Sequence, residues 1–185
     1  MRVLLLSLAF AGGLTAVAPA RAAQAAGAPA LRDGSHDMDF NFGTWHTQIT
    51  RIPDPFAAPS NIVRLAGTVT SRPIWNGKGQ LEEIEADGPN GHWEGVNLFF
   101  YDPAAHQWNQ YFIDSSEGRL VEPAGTGEYR NGNVEYYSPA ELHGRAVLDR
   151  AIWSDIKPDS HTYTESFSDD GGRTWHPAFI AHVSR

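Results

Sequence analysis

A chain without cysteine must draw any chemistry from its acids, bases and hydroxyls. Hydrolysis of a glycosidic bond needs two carboxylates about 5–9.5 Å apart. Glu83 and Glu85 share one face of an extended segment, while Asp114 and Glu165 belong to two others. Any acidic strand protein offers such pairs, and Glu82, Glu83 and Glu85 read equally well as a solvated strand. The eight histidines show no H-x-x-x-H or H-E-x-x-H spacing, so no metal site is expected. No serine sits in a G-x-S-x-G turn, and no glycine loop opens a helix. No residue is therefore assigned a catalytic role.

Arg150 and Glu165 form the more specific pair. In "HTYTESFSD", Tyr163, Glu165 and Phe167 alternate onto one face, and Thr162, Thr164 and Ser166 onto the other. The first face is the apolar one and should point inward. A turn centred between Lys157 and Pro158 would set Ile152 against Tyr163, Arg150 against Glu165 and Leu148 against Phe167. A slip of one residue would bring opposite faces together. This register predicts an ion pair on an inner wall, where a charge is costly unless paired.

"SFSDDGGRTW" carries Ser168, Asp170, Gly172, Thr174 and Trp175 in the spacing S-x-D-x-G-x-T-W. It resembles the repeated Asp box of sialidase propellers. A propeller needs about four or more blades with the motif recurring, and here it occurs once. The box is therefore expected to be a hairpin device. Its Asp would bond back to loop N–H groups, its Gly would take a positive φ, and its Trp would cover the turn.

The elements that must carry these residues are strands. From Phe40 onward, short runs rich in Val, Ile, Thr and aromatics alternate with turn residues. Asn131-Gly132 is the strongest hairpin signal. Ten strands are predicted, over 44–51, 64–73, 80–87, 95–101, 107–114, 119–128, 133–138, 145–154, 161–168 and 174–184. One helical turn is expected within 37–42. Strands in sequence joined by short turns make an antiparallel up-and-down meander. Left open, it would expose two edges, and closing it into a barrel removes both. An all-β barrel is favoured over a two-sheet sandwich.

"NFGTWH" places Gly43, Thr44 and Trp45 at the head of the first strand. This G-x-W resembles the first-strand signature of lipocalins and the wider calycin group. The resemblance implies that Trp45 closes the barrel base, with a late basic residue, here Arg185, packed over it. "DMDFNFGTW", "GQLEEIEADGPNGHWEG", "YDPAAHQW", "IWSDIKPDS" and "SFSDDGGRTW" extend the likeness over 37–185. That region is similar to a family of exported bacterial proteins of unknown function with a calycin-like barrel. The family brings no established catalytic residues.

Met1 and Arg2 precede an apolar run that ends at Ala20-Arg21-Ala22, a small-residue cleavage pattern. Residues 1–22 read as a signal peptide, 23–36 as a flexible leader and 37–185 as one barrel domain. The run is too short for a membrane span, so no membrane insertion is expected once it is removed. The predicted location is the periplasm or the extracellular space. The whole chain has net charge −8, which argues against nucleic acid as a partner.

The sequence thus predicts an exported barrel that binds a small hydrophobic or amphipathic anionic molecule. Ten strands enclose room for one. The calycin resemblance suggests that Arg150 holds a ligand carboxylate, as interior arginines do in fatty-acid-binding relatives. Glu165, Tyr163, Trp108 and Trp45 complete the expected site. No cofactor is required. Haem, which some ten-stranded calycins hold through a late histidine, would fall to His182, but alternation turns that residue outward. The alternatives are a periplasmic protein-interaction module and a hydrolase or isomerase using interior carboxylates.

Overall fold

The computed structural model describes residues 32–57 and 61–185. The expected signal peptide and most of the expected leader lie outside the described residues. The described residues form ten strands: β1 (Gly43–Arg51), β2 (Val63–Ile74), β3 (Gly79–Gly88), β4 (Gly91–Asp102), β5 (Gln107–Asp114), β6 (Gly125–Arg130), β7 (Asn133–Leu142), β8 (Arg145–Lys157), β9 (Ser160–Ser168) and β10 (His176–Ser184). Every strand pairs antiparallel with its sequence neighbour. β10 returns to β1, with Thr47 opposite Val183 and Ile49 opposite Ala181, so the sheet closes into a barrel. The ten-stranded up-and-down barrel expected from the turn spacing is the fold.

Alternation along each strand decides what goes inside. β1 buries Trp45, Thr47 and Ile49 and exposes the residues between them. The Asn131-Gly132 turn has φ of 53° and 89° at its two central residues, as a type I′ hairpin requires. The loosest seam is between β5 and β6, where pairing runs only from Trp108↔Gly127 to Gln110↔Gly125. The sixth strand, predicted over 119–128, begins at Gly125 instead, because the chain from Ser115 to Ala124 forms a loop.

One end of the barrel is sealed by the segment before β1. Met38 and Asn41 are fully buried there, and a 3-10 turn at Asp39–Asn41 aims the chain into the first strand. Trp45 is 1 % exposed. Its Nε1 donates to the Asn41 carbonyl (2.9 Å), and the Arg185 guanidinium carbon lies 4.1 Å from its ring centroid. Arg185 also donates to the Phe42 carbonyl at 2.9 Å. The last residues of the expected leader are held rather than loose: Gly34 N–H donates to the Tyr101 hydroxyl (2.9 Å), and Trp108 Nε1 donates to the Gly34 carbonyl (2.8 Å).

The Asp box closes the turn between β9 and β10. Asp170 Oδ1 accepts from the backbone N–H of Arg173 and Thr174, both at 2.9 Å, and Oδ2 accepts from the Thr174 hydroxyl at 2.8 Å. Ser168 Oγ donates to Asp170 and accepts from Gly172 N–H, each at 2.8 Å. These bonds favour the carboxylate and hold its pKa far below the usual range. The carboxylate is used up within its own turn.

Candidate interior binding site

The cavity is enclosed between the sealed base and the opposite, open end of the barrel. Its volume is about 470 Å³. Trp93, Phe112, Trp153, Tyr163, Phe167 and Phe179 form its aromatic wall. Tyr163 lies at the centre of that wall, its ring 4.6 Å from Trp153 and 5.9 Å from Phe179.

The registers decide which polar groups share this space. β9 turns into β8 one residue later than a turn at Lys157–Pro158 would require, with Lys157 opposite Ser160. A bulge at Asp155–Ile156 then shifts the ladder by one residue, with Asp155 at φ 52°. As a result Trp153 faces Tyr163, Ala151 faces Glu165 and Asp149 faces Phe167. Arg150 pairs with Ser166 and belongs to the outer wall. Its guanidinium carbon sits 4.2 Å from the ring centroid of Trp175, which packs in turn on Tyr137. The predicted inner pair of Arg150 and Glu165 does not form. The bulge, which alternation cannot anticipate, puts Ala151 opposite Glu165 where Arg150 was expected, and turns Asp149 inward opposite Phe167.

The other expected site residues divide. Glu165 and Tyr163 line the cavity. Trp45 and Trp108 do not: both are buried toward the base, in two separate core clusters. Among the glycosidase candidates, Glu83 and Glu85 are exposed and Asp114 lies on the cavity wall. His182 is exposed opposite Thr162.

Three carboxyl groups that alternation had not brought together face one interior. Glu82, read above as solvated, is 4 % exposed. It accepts from the Nδ2 groups of Asn41 and Asn97, the latter at 2.7 Å, and Asn97 Oδ1 accepts from Gln110 Nε2 at 2.9 Å. Burial pushes its pKa up, and the two amides pull it back. Asp149 has only a long contact, 3.5 Å from Ser138 Oγ to Oδ2, and its Oδ1 has no partner. Burial raises its pKa to about 6. Glu165 is raised to about 8, chiefly by burial and then by the Asp149 charge, while Arg51 pulls it down. Like charges sharing a cavity cannot both ionise cheaply, so the two titrate as a pair.

Among the described residues, four further polar atoms on the cavity wall have no partner: Thr47 Oγ1, Trp93 Nε1, the Tyr136 hydroxyl and His161 Nδ1. Thr47 and His161 occupy one ladder row through Val183. Burial, and then Arg185, lower the His161 pKa to about 4, so the imidazole is neutral at physiological pH. A buried polar group without a partner is destabilising unless something fills the space before it.

Fold and cavity together define a ten-stranded calycin-like barrel with a polar-studded aromatic interior. No protein-family model and no curated protein matches the sequence. Among solved structures, the S-type phycobiliprotein lyase CPES from Guillardia theta is similar in fold. It superposes with a TM-score of 0.57 at 9 % identity, over 83 % of this chain and 93 % of that one. At that identity the likeness concerns the fold.

Proposed function

We propose that this chain is an exported barrel that takes up a small molecule with an apolar, largely aromatic-contacting body through its open end. The observation that carries the reading is the 470 Å³ cavity, whose wall combines eight aromatic side chains with unpartnered polar atoms. That combination is what small-molecule sites share. The similar fold of a phycobiliprotein lyase agrees with a ligand of pigment-like shape. Export rests on the leader-like residues 1–22 and on the resemblance to an exported bacterial family.

The ligand's polar end is assigned differently from the sequence expectation. An anionic ligand was expected because Arg150 was expected inside. With Arg150 on the outer wall, that argument is gone. Among the described residues, Arg51 is the one arginine or lysine on the cavity wall, against Glu82, Asp114, Asp149 and Glu165. A second reading, an acid–base enzyme, is favoured by one observation: a carboxyl with a pKa of about 8 can accept or give a proton near neutrality.

The test uses the neutral fluorophore N-phenyl-1-naphthylamine. The expected result is saturable enhancement at one probe per chain. Ala178→Trp, which fills the wall near the mouth, should abolish that enhancement while the melting transition is retained. No saturable binding, or binding unaffected by Ala178→Trp, would overturn the reading.

A further inference from the structure

Resting on the cavity reading just given, we infer that the middle of the barrel is an ammonium site: the ligand carries a protonated amine on its apolar body and seats the nitrogen between Asp149 and Glu165. The two carboxyls come from adjacent strands. Asp149 faces Phe167 across the β8–β9 ladder, and Glu165 lies two residues from Phe167 on the same inner face. Diagonal positions of this kind are within mutual reach of long side chains. The residue opposite Glu165 is Ala151, whose small side chain leaves the space between the carboxyls open.

Among the described residues no hydrogen-bond donor bridges the two carboxyls. Among the described residues no ion pair reaches either carboxyl. Arg51, the nearest cation, sits with its guanidinium carbon 5.5 Å from the Trp93 ring centroid. No group of three or more metal-ligating side chains occurs among the described residues. A second observation is independent of the acids. The Tyr136 hydroxyl, on a residue 1 % exposed, also lines the cavity without a partner, and Tyr136 stands on the ladder row of Ala151 and Glu165.

An ammonium supplies what these groups lack. It offers three N–H donors to acceptor-only carboxylates, and the faces of Trp153 and Tyr163 attract cations. It also offsets the burial, and the lesser like-charge repulsion, that make the empty pair hold a proton. The charged and titratable groups facing Glu165 are Asp149 from β8, Arg51 from β1, Tyr163 from its own strand, and Glu82 and Asp114 farther along the wall. Between about 6 and about 8 the empty pair carries a proton that a cation must displace. Amine binding therefore releases protons in that window and strengthens as pH rises through about 8.

The test is calorimetry with three ligands sharing one aromatic body: 2-(1-naphthyl)ethylamine, 2-(1-naphthyl)ethanol and 1-naphthylacetate. The amine is expected to bind at least about tenfold tighter than the alcohol, the worth of one charge-assisted hydrogen bond, and the acid more weakly than both. Runs in two buffers of different ionisation enthalpy should show proton release with the amine and none with the alcohol. Asp149→Asn/Glu165→Gln should abolish the amine preference while alcohol binding persists. Acetate binding as tight as the amine, or an amine preference surviving the double variant, overturns the inference but leaves the cavity reading standing. If the wild-type chain binds none of the three, both fall.

Discussion

Glu82 and Glu165 are the same residue type, both turned into the same barrel, and they live under opposite conditions. Glu82 is met by two side-chain amides, and a third, Gln110, steadies one of them. Glu165 has no hydrogen-bond partner among the described side chains, and its nearest acid is another unpaired carboxyl. The protein supplies donors at the base and withholds them half-way up. A buried polar group with its partners in place is structure; one without them is space kept for something else. The barrel thus divides into a sealed end that holds the fold and an unfilled middle that the fold exposes to a ligand.

The largest expected effect lies at the sealed end. Trp45→Ala removes a side chain that is 1 % exposed and sits under Arg185. Its expected cost is about 3–5 kcal/mol of unfolding free energy, as for other buried aromatic deletions. Probe binding in the surviving folded fraction should keep its stoichiometry, because Trp45 does not line the cavity. Chemical denaturation checks the first expectation and fluorescence titration the second. Loss of the cavity at unchanged stability would break the division between the two regions.

One substitution made at both carboxyls sharpens it. Glu82→Gln turns one acceptor oxygen into an NH₂ group that faces the amide donor of either Asn41 or Asn97. It should cost about 1–3 kcal/mol, the penalty for leaving buried donors unpaired. Glu165→Gln should act in the opposite sense, and only at high pH. The folded chain holds the Glu165 proton up to about 8, whereas the unfolded chain releases it near the ordinary glutamate value of 4.5. Raising pH between those limits therefore destabilises the wild type, and the glutamine variant escapes that loss. Its melting temperature should exceed the wild type's above about pH 8 and match it near pH 5. Equal behaviour of the two variants would erase the contrast.

The sequence carried the fold because turns and alternation are local signals. Asn131-Gly132 and the strand-length apolar runs state where the chain reverses, and G-x-W with Arg185 marks where the barrel closes. The site was less legible. Glu82 sits beside Glu83 and Glu85, and alternation alone assigns it to the opposite face. Its reading as solvated came from composition, which ignored that Ile84 and Ala86 share its side of the strand. The Arg150 register failed for a different reason. A bulge at Asp155–Ile156 has no strong sequence signature here, and a one-residue shift exchanges every inner side chain for its neighbour.

That shift leaves the smallest prediction, and the one that isolates the two walls of a single strand. Arg150 and Asp149 are adjacent in sequence and face opposite sides of β8. Arg150 makes a cation–π contact with Trp175 and does not itself line the cavity. Arg150→Met keeps most of the side-chain volume and removes the charge. Stability should fall by only about 0.5–1 kcal/mol, the range for such contacts near the surface. Affinity for the naphthyl amine and the neutral probe should not change, since the nearest ligand-facing groups, Asp149 and Ala151, keep their places. Charge at Arg150 could still reach the interior through the field across the sheet, and the pH dependence of amine binding would register it. An unmoved midpoint near 8 shows that the outer wall is electrostatically separate from the pair. A midpoint displaced upward would show that the Arg150 charge reaches the pair across the sheet, and a drop in affinity would put Arg150 among the residues that contact the ligand and overturn the register described for β8 and β9.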